Sequence, residues 1–319
     1  MASLLACDSG SGRRVGARDG GTGSMDGSTG ADGSTGTSEA GTAPPPSTCT
    51  PTGGEGTLES CTDGMDNDCD GLPDCSDTDC SGVGSCPVCG QVDTQLGSPI
   101  SLPDGEGGTD CTVDTDCPTG QSCFDIDSPT DRECRESYRS TLDLQGFGTG
   151  TFESADDIVS ICVNMEHSFV RDLEIALEAP NGSRVRLQRF LGQTGGEIYL
   201  GEADDCDDDD TPVPGVGARY CWTPTATRPA MLEYANSGGA LNSVPACDLL
   251  GFGLGGDAEQ MPPGDYSSAE DWNNFIGSPL NGEWSLVVTD LYPIDNGYIF
   301  DWQINFSPRA IEDCSVPLI

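Results

Sequence analysis

Tyr298-Ile299-Phe300-Asp301-Trp302-Gln303-Ile304-Asn305-Phe306 decides the architecture. Tyr298, Phe300, Trp302, Ile304 and Phe306 stand at every second position, with Asp301, Gln303 and Asn305 among them. A period of two sends alternate side chains to opposite faces of an extended chain, so the run predicts a strand with one buried face. The same period recurs upstream. It is carried by Trp284, Leu286 and Val288, by Val185 and Leu187, by Leu173, Ile175 and Leu177, and by Val159, Ile161, Val163 and Met165. Turn residues separate these runs, as in Pro180-Asn181-Gly182 and Asp295-Asn296-Gly297. No window has a convincing 3.6-residue period. Antiparallel strands with one buried face predict an all-β fold, a β-sandwich occupying 138–310.

Outward from that domain the composition changes. The chain has 319 residues, 44 of them Gly, and a formal net charge of −41. All 13 basic residues are Arg, and the only His is His167. An acidic surface of this strength repels nucleic acid and anionic lipid. The missing Lys excludes a Schiff-base lysine and a P-loop, and one His excludes multi-His zinc sites. Residues 8–48 are nearly all Gly, Ser, Thr, Ala, Asp and Pro, with an Asp-Gly-Ser-Thr-Gly repeat at 26–30 and 32–36, which predicts a disordered linker. Residues 1–7 end in Leu4-Leu5-Ala6-Cys7, the form of a bacterial lipobox truncated at its front, which makes Cys7 the candidate lipidation site. Setting Cys7 aside leaves an even number of the 17 Cys, as disulfides in an oxidising compartment require. No apolar stretch is long enough to span a membrane, so a lipid anchor is the membrane contact expected.

Residues 49–135 are rich in Cys and Asp and poor in apolar residues, so they are expected to fold on disulfides and metal as small modules. Within them, Asp66-Asn67-Asp68-Cys69-Asp70-Gly71-Leu72-Pro73-Asp74-Cys75-Ser76-Asp77 has calcium-loop spacing. Carboxylates stand at loop positions 1, 3 and 5, Gly at 6, a carbonyl at 7, and Asp at 9 and 12. Ca2+ takes six to eight hard oxygens, and a tight turn presents alternate side chains inward to supply them. The expected ligands are Asp66, Asp68, Asp70, Leu72, Asp74 and Asp77, with Asp79 able to substitute for Asp77; the competing reading is a solvated acidic turn. Asp204-Asp205-Cys206-Asp207-Asp208-Asp209-Asp210 is either a solvated loop or a second calcium site. Cys86-Pro87-Val88-Cys89 leaves a zinc reading open. Cys111, Cys117, Cys123 and Cys134 are expected to form two bridges among themselves, Cys206 to pair with Cys221, Cys162 with Cys247, and Cys314 with a cysteine near Cys134.

Cys61-Thr62-Asp63-Gly64-Met65-Asp66-Asn67-Asp68-Cys69-Asp70-Gly71 resembles the metal-binding motif of MopE-type bacterial surface proteins over 61–80. The resemblance implies calcium on an exported protein; copper, associated with that type, finds no His or Met cluster here. Met165-Glu166-His167-Ser168, Asp172-Leu173-Glu174-Ile175 and Ala179-Pro180-Asn181-Gly182-Ser183 resemble the P domain (P/Homo B domain) of subtilisin-like proprotein convertases. So does Gly282-Glu283-Trp284-Ser285-Leu286, continued by Asp290, Gly297 and Trp302. That resemblance spans about 141–307 and implies an eight-stranded jelly-roll sandwich that follows a catalytic domain. Two departures stand out: Arg171 replaces the family's usual Gly, and 201–262 is an enlarged insertion.

A Ser-His-Asp triad needs a His base, and His167 falls on the family's structural position within a strand. The chain is therefore expected to be no enzyme. It reads as a lipoprotein of the bacterial cell surface or extracellular space, with a calcium module and a sandwich that binds an unknown protein or glycan and no nucleic acid. The alternative is an accessory domain of a subtilisin-like serine endopeptidase, associated with proteolysis.

Overall fold

The computed structural model describes residues 49–319 except 95, 106–107, 129–130, 193–194, 204–212, 246–256, 294 and 296. Cys7, the 8–48 linker and the 204–210 acidic run lie outside the described residues, as do Cys206 and Cys247.

In chain order the strands are β1 (Gln91–Asp93), β2 (Ile100–Ser101), β3 (Gln121–Ser128), β4 (Asp131–Glu136), β5 (Tyr138–Leu144), β6 (Ile158–His167), β7 (Leu173–Glu178) and β8 (Arg184–Gln188). They continue with β9 (Ala218–Trp222), β10 (Asn242–Pro245), β11 (Asp257–Gln260), β12 (Gly264–Tyr266), β13 (Gly282–Asp290) and β14 (Gly297–Phe306), and a short helix α1 (Met231–Asn236) lies in the insertion. One main sheet runs β5-β13-β7-β8; the other runs β1-β14-β6-β9-β12, with β2 also on β14. Their facing sides share one core, in which Trp222, Trp284 and Trp302 have no exposed surface. Edge-to-face rings link Phe152, Phe275, Trp284, Phe306 and Phe147 across it, with centroids 4.8–5.6 Å apart.

The all-β sandwich with Cys-rich modules is the architecture that the alternation predicts. The β7–β8 hairpin turns at Pro180-Asn181-Gly182, where Gly182 takes φ 83° and the Ala179 N–H reaches the Ser183 carbonyl at 2.8 Å. Two phases differ from the expectation. A register shift between Ile299 and Asp301 puts Ile299, not Phe300, into the core. A second shift opposite Asn305/Phe306 buries Ile158 and leaves Val159 exposed. Each irregularity adds a residue to one strand and reverses the inward face beyond it. Among the described residues β12 runs parallel to β9, and the isolated bridge between Tyr199 and Gln260 is parallel as well.

The two departures from the P-domain pattern meet in space. Arg171 is buried, and its guanidinium donates to the carbonyls of Gly196 and Gly195 and to Asn236 Oδ1, at 2.8, 3.4 and 3.1 Å. Asn236 lies in α1, so the Arg at a position expected to be Gly staples the insertion to the sandwich.

All fourteen described cysteines are in disulfides. The 111–134 block closes on itself as expected, through Cys111–Cys123 and Cys117–Cys134. Cys49–Cys69, Cys61–Cys80 and Cys75–Cys86 staple the acidic module. Three expectations are corrected. Cys162 pairs with Cys221, not with Cys247, because β6 and β9 place the two directly opposite. That same bond takes Cys221 from Cys206. Cys314 pairs with Cys89, which also removes the zinc reading of Cys86 and Cys89. β1 and β2, expected among the Cys-rich modules, belong to the sandwich sheet, and Gly90 accepts the Phe306 N–H at 2.9 Å.

Candidate metal centre and the buried histidine

The loop from Asp66 buries no apolar side chain, Leu72 being only half-buried; backbone amides shape it. Asp68 Oδ1 accepts the Asp70 N–H at 3.1 Å and Asp70 Oδ1 the Leu72 N–H at 2.9 Å. Asp66 Oδ2 accepts the Gly71 N–H at 3.0 Å. These short-range bonds are the turn chemistry of Asp, and the chain reverses through left-handed Cys69 (φ 67°) and Gly71 (φ 107°). The outcome is convergence: one carboxylate oxygen each from Asp66, Asp68 and Asp70 lies within 4.8 Å of the other two. Oxygens on opposite sides of a bound Ca2+ stand about 5 Å apart, so the spacing fits.

Like charges this close need compensation. Asp66 Oδ1 is buried without a hydrogen-bond partner among the described residues. Asp77 is 1% exposed; one oxygen accepts the Asp79 N–H at 2.7 Å and Oδ2 has no described hydrogen-bond partner. Burial first, then the charges of Asp70 and Asp68, push the Asp77 carboxyl above the usual range. Of the other expected ligands, Leu72 spends its N–H on Asp70. Asp74 Oδ1 accepts the Gly64 N–H at 3.1 Å, and neither Asp74 nor Asp77 belongs to the converging set.

Sequence reading missed Glu55. Its Oε1 accepts the Asn67 N–H at 3.0 Å, and burial first, then the charges of Asp77, Asp68 and Asp74, raise its pKa. Cys49–Cys69 ties the segment before Glu55 to the loop; spacing alone contains no such signal.

His167 is fully buried at the end of β6, opposite the end of β13. Its Nε2 lies 3.1 Å from Asp290 Oδ2, and its Nδ1 accepts the Phe169 N–H at 3.0 Å. Asp290 Oδ1 accepts the Tyr292 N–H at 3.1 Å. Burial opposes a charge on the imidazole, and the Asp290 hydrogen bond with the charges of Asp290, Asp295 and Glu166 outweighs it, raising the pKa. Both ring nitrogens are used inside the fold and no edge reaches solvent. The pair joins one sheet to the other and offers no base to a substrate.

No protein-family model matches the chain, and no curated protein matches it. Two solved structures share similarity with it: the serine protease of Aeromonas sobria, and the same protease in complex with its chaperone. Each is 12% identical, covering 69% of this chain and 27% of the protease, with a TM-score of 0.24. The chain thus spans about a quarter of those proteases' length, and a likeness this slight carries no argument about fold or activity.

Proposed function

We propose that the chain is a non-catalytic extracellular binding protein whose Cys-rich module is organised by Ca2+. The observation that carries the calcium reading is the convergence of Asp66, Asp68 and Asp70; the buried Asp77 oxygen that lacks a donor among the described residues lies in the same loop, outside that trio. A hard divalent cation is the partner such oxygens suit. In this reading Asp66, Asp68, Asp70 and Asp77 hold the ion, while the Gly71 and Leu72 N–H groups keep the carboxylates aimed. The sandwich serves adhesion to a protein or glycan at the cell surface, with lipidated Cys7 as the membrane tether. Seven disulfides suit an extracellular, oxidising compartment.

A second reading, an accessory domain of a subtilisin-like endopeptidase, draws on one observation. The P-domain-like segment Gly282-Glu283-Trp284-Ser285-Leu286 lies in the central strand β13, with Trp284 fully buried. The test of the first reading is calorimetric titration of the EDTA-stripped chain with Ca2+. One saturable event that Asp68→Asn abolishes is expected; absence of binding refutes it. Co-purification with a protease would favour the second reading.

A further inference from the structure

Positive charge is scarce in this chain, yet one cleft concentrates it. Arg132 of β4, Arg186 of β8 and Arg189 just beyond line a space of about 100 Å3 with Phe124, Phe190 and Leu291. Only Asp125 and Glu174 oppose them in its wall. Arg132 is matched by Asp125, and Arg186 by Glu174 and by Glu270 from outside the wall, which leaves Arg189 as the one guanidinium of the cleft without an ion pair among the described residues.

The arginines differ in what they can offer. Arg132 is held by Asp125 at 2.7 Å and by the carbonyls of Thr112 and Cys123. Arg186 bridges Glu174 at 3.0 Å and Glu270 at 2.8 Å. Both are fixed and set the field. Arg189 is exposed and forms no ion pair with a described residue, so its fork remains available. The tilted Phe190–Tyr292 ring pair, centroids 5.9 Å apart, adds an aromatic rim. Arg with aromatic rings is the composition of binding hot spots.

We propose that this cleft recognises an acidic peptide segment of a partner protein, with one side-chain carboxylate paired to Arg189 and a neighbouring apolar side chain on the Phe190–Tyr292 rim. A planar guanidinium matches a carboxylate in bidentate geometry. One unpaired guanidinium, with Asp125, Glu174 and Glu270 close by, suits a single carboxylate and disfavours densely sulfated or phosphorylated ligands. The inference rests on the reading of the sandwich as a binding domain and names its ligand class.

The test uses the full chain and fluorescein-labelled hexapeptides alternating Glu and Phe, or Gln and Phe, read by anisotropy. The field of a strongly acidic protein repels the Glu peptide, so only a local site can reverse that order. Binding of the Glu peptide at least tenfold tighter, weakening with salt, and loss of that preference in Arg189→Glu are expected. Near-UV circular dichroism of the variant verifies its fold, which an unpaired surface residue should not disturb. Equal or weaker binding of the Glu peptide, a preference that survives Arg189→Glu, or selective binding of a sulfated disaccharide overturns the proposal. Should a surface ligand bind wild type and Arg189→Glu alike, the binding role stands and this site does not.

Discussion

The Cys-rich stretches 49–86 and 111–134 and the sandwich reach order by opposite means. In the first, the buried cluster is sulfur: Cys61, Cys80 and Cys86 form one centre and Cys111, Cys123 and Cys134 another. In the second, aromatic and aliphatic side chains from two sheets fill one core. Burial contributes roughly 25 cal/mol per Å2 of apolar surface, a term the Cys-rich segment largely lacks. Covalent loops and charge organisation must replace it there.

Reduction should break that comparison open most widely. Five bridges close loops of 11–20 residues within 49–134, each worth about 3 kcal/mol in the chain-entropy model. Dithiothreitol should make this segment protease-sensitive while the near-UV signal of the buried tryptophans persists. Simultaneous loss of both, by limited proteolysis with mass mapping, would mean that the sandwich also depends on its cysteines.

The converse experiment strikes the core. Trp284 touches Phe275 and Phe306 and donates Nε1–H to the Leu280 carbonyl at 2.9 Å. Trp284→Ala should cost about 3–5 kcal/mol in urea unfolding. His167→Ala should cost a similar 3–5 kcal/mol for a different reason, since it strands the buried Asp290 carboxylate without its partner. A His167→Ala protein of unchanged stability would contradict the structural role assigned to the imidazole.

What the sequence made legible divides along the same line. Strand identity was plain in the sandwich because Leu173, Ile175 and Leu177, or Trp284, Leu286 and Val288, alternate without interruption. Phase failed at Val159 and Phe300, where an extra residue reverses the facing and leaves no local mark. In the Cys-rich segment the local spacing of Asp66, Asp68 and Asp70 was enough to foretell that their carboxylates converge, since each orients on an amide a few residues ahead. Glu55, and the Cys89–Cys314 and Cys162–Cys221 bridges, were not legible, because they depend on which distant segments lie side by side. Register creates those neighbours, and composition does not encode it.

Calcium should sharpen the contrast by stabilising one region only. At a hundredfold excess over Kd, mass action contributes about 2.7 kcal/mol. EDTA should therefore raise the protease sensitivity of 49–89 and leave the urea midpoint followed by tryptophan fluorescence unmoved. Asp68→Asn should behave as the EDTA-treated wild type does. A midpoint that shifts equally in both regions would show that the welded junction at Cys89–Cys314 transmits the effect.

The smallest effect concerns charge inside the sandwich. Glu270 accepts from the Arg186 backbone N–H at 2.9 Å and pairs with its guanidinium at 2.8 Å. Burial acts to raise its pKa, but the Arg186 bonds and charge outweigh burial and hold it below the ordinary 4.5. Between the folded and unfolded values the native chain binds fewer protons than the unfolded one, so stability rises with pH across that window. The contribution is complete above about pH 4.5 and vanishes as pH falls through the depressed native value. A partly exposed pair of this kind is worth less than about 1 kcal/mol. Other carboxylates titrate in the same range, so the informative quantity is the difference between wild type and Glu270→Gln. Urea midpoints from pH 6 to pH 3 should show a constant gap that closes toward the acid end. A gap that widens on acidification would mean that Glu270 is stabilised in its protonated form, and that the sandwich holds this edge by hydrogen bonding alone.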